Sequence, residues 1–327
     1  MATGQAFIRN LSSEQTENDS FLNYFTNIFL LFCVFSCLLY IYAFIVTPNP
    51  HITDNFHLIL LVAFFELINA AYVSYYSGKE RFANIFKARL TFSFFLCAII
   101  FLTSYLNEYY SVYPYVFALF LSNSYFFIIS KHQFSTRQLR QLSLENCRYF
   151  YQKYIKISFP IFISGIMVTP VQWYLSNQIV VQNSFAELGL FNVSMQFRMM
   201  ILMITNALAT ALLPRLVKLS NTEAFDRIKK SGYLVSAMVC IVMVIGISLF
   251  MPLVFNIYGI EINDDMLFTS YLMLSTALPL CIYNLYTQVL IAKGKTKILL
   301  MFNSFWGVSV IALYNMAENI NNITVAK

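Results

Sequence analysis

Residues 233–257, YLVSAMVCIVMVIGISLFMPLVFNI, contain no charged side chain. A bilayer core about 30 Å thick needs roughly 20 apolar residues as a helix rising about 1.5 Å per residue, so this stretch is long enough to span. Comparable runs recur at 21–46, 56–76, 90–106, 112–130, 157–180, 188–213, 266–292 and 298–316, which makes nine spans. The composition agrees: of 327 residues, 59% are apolar and only 11% charged, with a mean hydropathy of +0.64, whereas soluble domains carry about 25% charge. A soluble globular domain is thereby excluded. A disordered chain, a disulfide scaffold and a fibrous repeat fail as well, because Phe 33 and Tyr 22 are abundant while Gly 9, Pro 8 and Cys 6 are low. The reading is an all-α integral membrane protein with about nine transmembrane helices.

The basic residues test the count. Arg9, the 79–89 and 131–156 segments, 215–230 and 293–297 hold 19 of the 21 Lys and Arg, always in alternate loops. The intervening loops carry Asp54, Glu108, Glu187, Glu261, Asp264 and Asp265. Lys and Arg concentrate on the cytoplasmic side of membrane proteins, so the pattern predicts a multi-pass protein with a cytoplasmic amino terminus. The acidic-side loops are short and leave no room for a folded domain, which directs attention into the bundle itself. By composition the chain divides into a polar tail at 1–20, a first helical lobe at 21–130, a basic linker at 131–156, a second lobe at 157–316 and a tail at 317–327.

Two segments are weakly alike, QAFIRNLSSEQTENDSFLNYFTNIFLL at 5–31 and PRLVKLSNTEAFDRIKKSGYLVSAM at 214–238, as expected of a transporter built from internal repeats. Residues 157–181, ISFPIFISGIMVTPVQWYLSNQIVV, are followed by AELGLFNVSMQFR, ALATALLPRLVKLS and, later, QVLIAKGKTKILL; SYYSGKERF lies earlier, at 74–82. With these segments the chain resembles the polysaccharide-type flippases, which share a superfamily with the multidrug and toxin extrusion transporters. The resemblance covers nearly the whole chain. It implies two lobes around a central cavity, alternating access, a bacterial inner-membrane location, and a lipid-linked oligosaccharide such as an O-antigen or capsule unit as the substrate. It also implies membrane lipids and glycan polymerase machinery as partners. On the family map this chain lacks the first two helices, apart from a remnant near 1–6, and the twelfth.

Only Glu66 and Arg198 place a charge deep within a span. Each costs about 2.5 to 3.5 kcal/mol at a helix centre by insertion scales, so each should face a partner or water rather than lipid. Arg198 stays protonated, and its planar fork suits phosphate oxygens; Ser194 and Thr205 share its helical face, and Gln196 is near. The alternative is a structural pair, with Glu66 as one candidate partner. Glu66 forms a polar stripe with Asn69, Tyr72 and Tyr76, either as a proton or cation coupling site or as packing. Gln172, Trp173, Tyr174, Asn177 and Gln178 cluster near one end of their span, where aromatics and amides suit sugars and equally suit an interfacial anchor. Asn284, Tyr286, Thr287 and Gln288 are open to the same two readings. Pro160, Pro170 and Pro279 can bend their helices.

AKGKTK lacks the glycine spacing of a phosphate-binding loop. His51, His57 and His132 have no partners at metal-ligand spacing, and five of the six cysteines lie in apolar runs, so neither a metal nor a cofactor is expected. Nothing in the sequence points to nucleic acid. The competing functions are multidrug or cation-coupled efflux, and, from other classes, a non-transporting fragment or a membrane enzyme of glycan assembly. Clustered catalytic His or Asp, which an enzyme would need, are absent from the sequence pattern, so a non-enzymatic transporter is the leading expectation.

Overall fold

In the computed structural model, the described residues are 2–13, 56–105, 112–130, 144–182, 185–220, 222–257 and 264–325, with single helical positions Phe29, Phe32, Cys33, Ser36, Cys37, Tyr40 and Ile41. All regular elements among them are helices: α1 (Ala2–Ser13), α2 (Phe56–Gly78), α3 (Phe82–Tyr105), α4 (Val112–Ser130), α5 (Leu144–Gln182), α6 (Phe185–Lys218), α7 (Ala224–Ile257), α8 (Asp264–Ser275), α9 (Ala277–Ala292) and α10 (Thr296–Val325). Among the described residues, seven helical stretches are long and apolar enough to cross a membrane, and Tyr115–Ile129 is a shorter apolar one. The span expected at 21–46 and the first half of the linker expected at 131–156 lie largely outside the described residues. The chain is a multi-pass membrane protein, and large side chains such as Phe94, Phe101, Met203, Leu249 and Phe305 face outward, as a lipid-facing surface requires.

The described chain divides into two compact units at Lys156 and Ile157. In the first, α4 packs against both α2 and α3. Its core joins Tyr72, Tyr75 and Tyr76 of α2 to Ala88 and Phe126, with the Phe126 ring stacked between Tyr72 and Tyr76 at centroid distances of 5.3 and 5.6 Å. Phe7 and Leu11 of α1 belong to the same core. The expectation of a polar tail at 1–20 is corrected here. Ala6, Phe7, Ile8 and Leu11 recur at helical spacing inside a polar composition, and burying that stripe holds 2–13 against unit 1. Gly78 makes room for it, since a Cβ there would lie 2.7 Å from Leu11 Cδ2.

In the second unit α6 is the hub, packing against α7, α8 and α9. Phe197, Ile201, Cys240, Met251, Phe255, Leu274, Ala277 and Cys281 fill the space between them. The stretch read as one span over 266–292 is broken at Thr276 into α8 and α9. Pro279, three residues on, leaves the Ser275 carbonyl without its helical donor, and its ring crowds that carbonyl. Pro160 and Pro170, by contrast, sit inside a continuous α5. Two segments read as polar are helical: 144–156 runs straight into the span beginning at 157, and α10 extends through 317–325 into the expected tail.

The two units close one of their turns in the same way. After α2, Arg81 N bonds Tyr76 O at 2.9 Å and Glu80 N bonds Ser77 O at 3.0 Å, with Glu80 at φ 58. After α9, Lys295 N bonds Leu290 O at 2.9 Å and Gly294 N bonds Ile291 O at 3.0 Å, with Gly294 at φ 70. Both are Schellman closures with one left-handed residue. They fall on SYYSGKERF and QVLIAKGKTKILL, and each leads into the next helix.

Candidate functional site

Arg198 lies inside α6, half-buried, and extends to the break between α8 and α9. Its Nη1 donates to Thr276 Oγ1 at 3.2 Å and lies 4.0 Å from Met273 Sδ, while Nη2 donates to Met195 Sδ at 2.6 Å. Its Nε is buried without a hydrogen-bond partner. The acceptors are therefore one hydroxyl and two thioethers, and sulfur is a weak acceptor. Among the described residues no carboxylate lies within salt-bridge distance of this guanidinium. Through Thr276 the guanidinium lies at the carboxyl end of α8, the negative end of that helix's dipole. A cation held at the end of a broken membrane helix, with donors left over, can accept an anion.

The other residues expected around Arg198 divide. Ser194 is one turn away on the same face, but its hydroxyl bonds Leu190 O at 3.0 Å and shares a 2.7 Å hydrogen bond with Ser270 Oγ of α8, all in a buried setting. Thr205 is equally buried, and its hydroxyl returns to the carbonyls of Ile201 and Leu202. In this structure both hydroxyls serve helix packing: Ser194 is shared between the backbone of α6 and Ser270 of α8, and Thr205 turns to the backbone of its own helix. Gln196 is exposed.

Glu66 of α2 accepts a hydrogen bond from Tyr115 of α4. One turn on, fully buried Asn69 donates to Ser122 Oγ at 3.2 Å, and Asn123 Nδ2 donates to Phe65 O at 2.9 Å. The carbonyl oxygens of both asparagines are buried without partners. Glu66 and Arg198 thus each find partners within their own unit. Of the stripe read along α2, Tyr72 and Tyr76 spend their rings on Phe126 in the core.

On α5, Gln172, Trp173 and Asn177 are exposed, Trp173 at 70%. Tyr174 turns to α10, donating to Asn315 Oδ1 at 2.8 Å and meeting the Tyr314 ring edge-on, and Gln178 is half-buried. The five residues do not form one platform, since consecutive positions on a helix point to different sides. A polar network that the sequence reading did not assemble joins α5, α9 and α10: Tyr283 OH donates to Asn303 Oδ1 at 2.5 Å, and Asn303 Nδ2 donates to Ser164 Oγ at 2.5 Å. Its sequence signals were Ser164, Tyr283 and Asn303, polar residues in three separate apolar runs with no spacing to connect them. Thr276 had a better one, lying three residues before a proline.

No protein-family profile matches the chain, and no curated protein is detectably similar to it. Solved structures do match. A MATE transporter solved as a proline-to-alanine mutant aligns with a TM-score of 0.77 at 13% identity, over 92% of this chain and 72% of that one. The MATE transporter ClbM in complex with Rb+ aligns at 0.68 and 14%, over 92% and 71%. The outward-facing conformation of a multidrug resistance MATE family transporter of the MOP superfamily aligns at 0.68 and 14%, over 96% and 83%. At such identities the likeness establishes the fold. The chain has the all-α fold of a MATE exporter, which agrees with the two-lobed exporter bundle expected from the sequence and does not reach the oligosaccharide-flippase subtype.

Proposed function

We propose that this protein is an alternating-access transporter of an anionic amphiphile across the bacterial inner membrane, with a polyprenyl-pyrophosphate-linked oligosaccharide as the substrate class and Arg198 as the residue that meets its phosphate. The observation that carries this reading is the chemistry around Arg198: a half-buried guanidinium, without a carboxylate among the described residues, whose donors are only partly used by Thr276, Met273 and Met195. Retaining such a charge in an apolar helix is costly unless something anionic visits it. Guanidinium binds phosphate through paired, charge-assisted hydrogen bonds, which the thioethers do not match. Substrate binding drives the cycle only if it favours one access state over the other, and a guanidinium attached to a broken helix offers such a difference. Exposed Gln196 is the neutral donor nearest in sequence. On this reading the amino terminus is cytoplasmic and glycan polymerase machinery receives the product.

A second reading, cation-coupled efflux of small molecules, has its own support. The matching folds include a multidrug resistance transporter and one in complex with Rb+, and Glu66 lies beside two buried amide oxygens without partners. The experiment that separates the two is complementation of a flippase-deficient strain by the wild type, Arg198→Lys, Arg198→Met and Glu66→Gln, run beside drug-resistance assays of the same variants. Surface glycan restored by the wild type, weakly by Lys and not by Met supports the flippase. Drug resistance that depends on Glu66 and ignores Arg198 supports efflux and overturns the first reading.

A further inference from the structure

At its basic end, unit 2 brings two turns together. The α6–α7 turn leads into Arg227, Lys229 and Lys230, and the α9–α10 turn supplies Lys293, Lys295 and Lys297. The α7 and α9 ends meet on one buried ring: Lys293 Nζ stands 4.7 Å and Lys229 Nζ 5.9 Å from the centroid of Phe225. Asp226 neutralises Lys229 at 2.6 Å, and Lys230 and Lys293 also act on that carboxylate through space. Glu223 is the other acid of the turn. Lys230 and Lys297 are exposed, and among the described residues neither makes a salt bridge within 4 Å, Asp226 being taken by Lys229. Cation charge here therefore exceeds what the protein compensates.

Directly on the membrane side of these lysines runs an aromatic strip. Tyr233 is one turn beyond Lys230 on α7, and Tyr286 lies two turns before Lys293 on α9. Tyr286 in turn meets Phe302 of α10 edge to face at 6.3 Å. Tyr286 and Phe302 are exposed, at 37% and 51%. Three helices thus present hydroxyl-bearing and plain rings beneath a shared cationic rim. Positive loops alone set orientation and need no convergence, whereas here lysines from two turns meet on one ring, with the Tyr286–Phe302 pair on α9 and α10 beyond them.

We propose that this end of unit 2 is a binding site for an anionic phospholipid, with the phosphate held by Lys230, Lys293 and Lys297 and the glycerol and upper acyl chains lying on Tyr233, Tyr286 and Phe302. An ammonium over an aromatic face keeps N–H groups free for a phosphate oxygen, so Lys293 can serve Phe225 and the lipid together. Phenols at the head-group level combine an apolar body with a polar tip. The site is independent of the transported substrate and does not rest on Arg198.

The test uses the full chain purified in detergent and titrated with dioctanoyl phosphatidylglycerol or dioctanoyl phosphatidylcholine, with bound adducts read by native mass spectrometry. Phosphatidylglycerol is expected to bind more tightly by on the order of a hundredfold, the combined contribution of three lysines near a charged head group, and less so at high salt. Changing Lys230, Lys293 and Lys297 together to Gln should remove the preference, whereas changing Lys79, Arg81 and Lys87 of unit 1 to Gln should retain it. Equal binding of the two lipids by the wild type overturns the proposal without reference to any variant. Equal loss in both triple variants, with folding verified by thermal melting, also overturns it by reducing the effect to general surface charge. Displacement of phosphatidylglycerol by an equal concentration of undecaprenyl pyrophosphate would assign the lysines to a substrate and overturn it as well.

Discussion

Arg198 Nη1 donates to Thr276 Oγ1 across 3.2 Å, and Thr276 is the residue at which α8 ends and α9 begins. Four residues earlier on α6, Ser194 holds Ser270 of α8 at 2.7 Å. One face of α6 therefore clips α8 twice, once along its length and once at its carboxyl end, and the second clip uses a charge.

That charge separates function from stability. Arg198→Met removes a hydrogen bond worth about 1.5 to 3 kcal/mol and also the roughly 2.5 to 3.5 kcal/mol cost of a charge in an apolar span. The two nearly cancel. The melting temperature of the purified variant should stay within a few degrees of the wild type while glycan complementation is lost. A drop equivalent to several kcal/mol with transport intact would make Arg198 a structural residue.

Pro279 leaves the Ser275 carbonyl without its helical donor, so Pro279→Ala should restore an amide donor to that carbonyl and close α8 and α9 into one helix. Removing proline from a helix interior is worth about 3 kcal/mol locally. Hydrogen exchange should become slower for amides around 276–280, and transport should fall if the break moves during the cycle. Unchanged exchange would show that packing by α6, and not the proline, sets the break.

How far these features can be read from sequence depends on what each residue answers to. The spans respond to the bilayer, a uniform medium, so the apolar runs and alternating charges locate them. The break at Thr276 answers to neighbours: Pro279 marks a bend, but only packing reveals that Arg198 of another helix occupies it. Ser194 and Thr205 do lie on the Arg198 face as helical spacing requires, yet spacing does not say that α8 and the helix backbone consume their hydroxyls. Composition hid α1, because Phe7 and Leu11 are a minority in a polar stretch although they are one turn apart. The amides and aromatics of 172–178 are close in sequence and dispersed around a helix.

The Glu66 network yields a prediction in unit 1. Tyr115→Phe removes the donor to Glu66 and should destabilise the protein by about 1.5 to 3 kcal/mol if the carboxylate is ionised. Asn69→Leu removes an unpartnered buried oxygen but also the donor to Ser122 Oγ, and should cost about 1 kcal/mol, less than Tyr115→Phe. Denaturant titration of the two variants measures both. A larger loss for Asn69→Leu would mean that the orphan oxygen has a bound partner, such as a water or cation.

The paired turns offer the sharpest comparison, because the same closure is made with different residues. Gly294 takes φ 70 at no steric cost, whereas Glu80 takes φ 58 against the clash between its Cβ and the backbone, a penalty of about 1 to 2 kcal/mol for an L-residue. Glu80→Gly should therefore stabilise unit 1 by a little less than that, the difference being the extra entropy of glycine in the unfolded chain. Gly294→Ala should destabilise unit 2 by about 1 kcal/mol or more. Gly78→Ala, two residues before Glu80, works differently: its φ is ordinary, and its cost comes from the 2.7 Å approach of Leu11 Cδ2. Leu11→Ala should then rescue part of the Gly78→Ala loss in a double-mutant cycle and none of the Gly294→Ala loss. If Leu11→Ala is simply additive with Gly78→Ala, α1 does not hold the position described, and the correction to the amino-terminal segment fails with it.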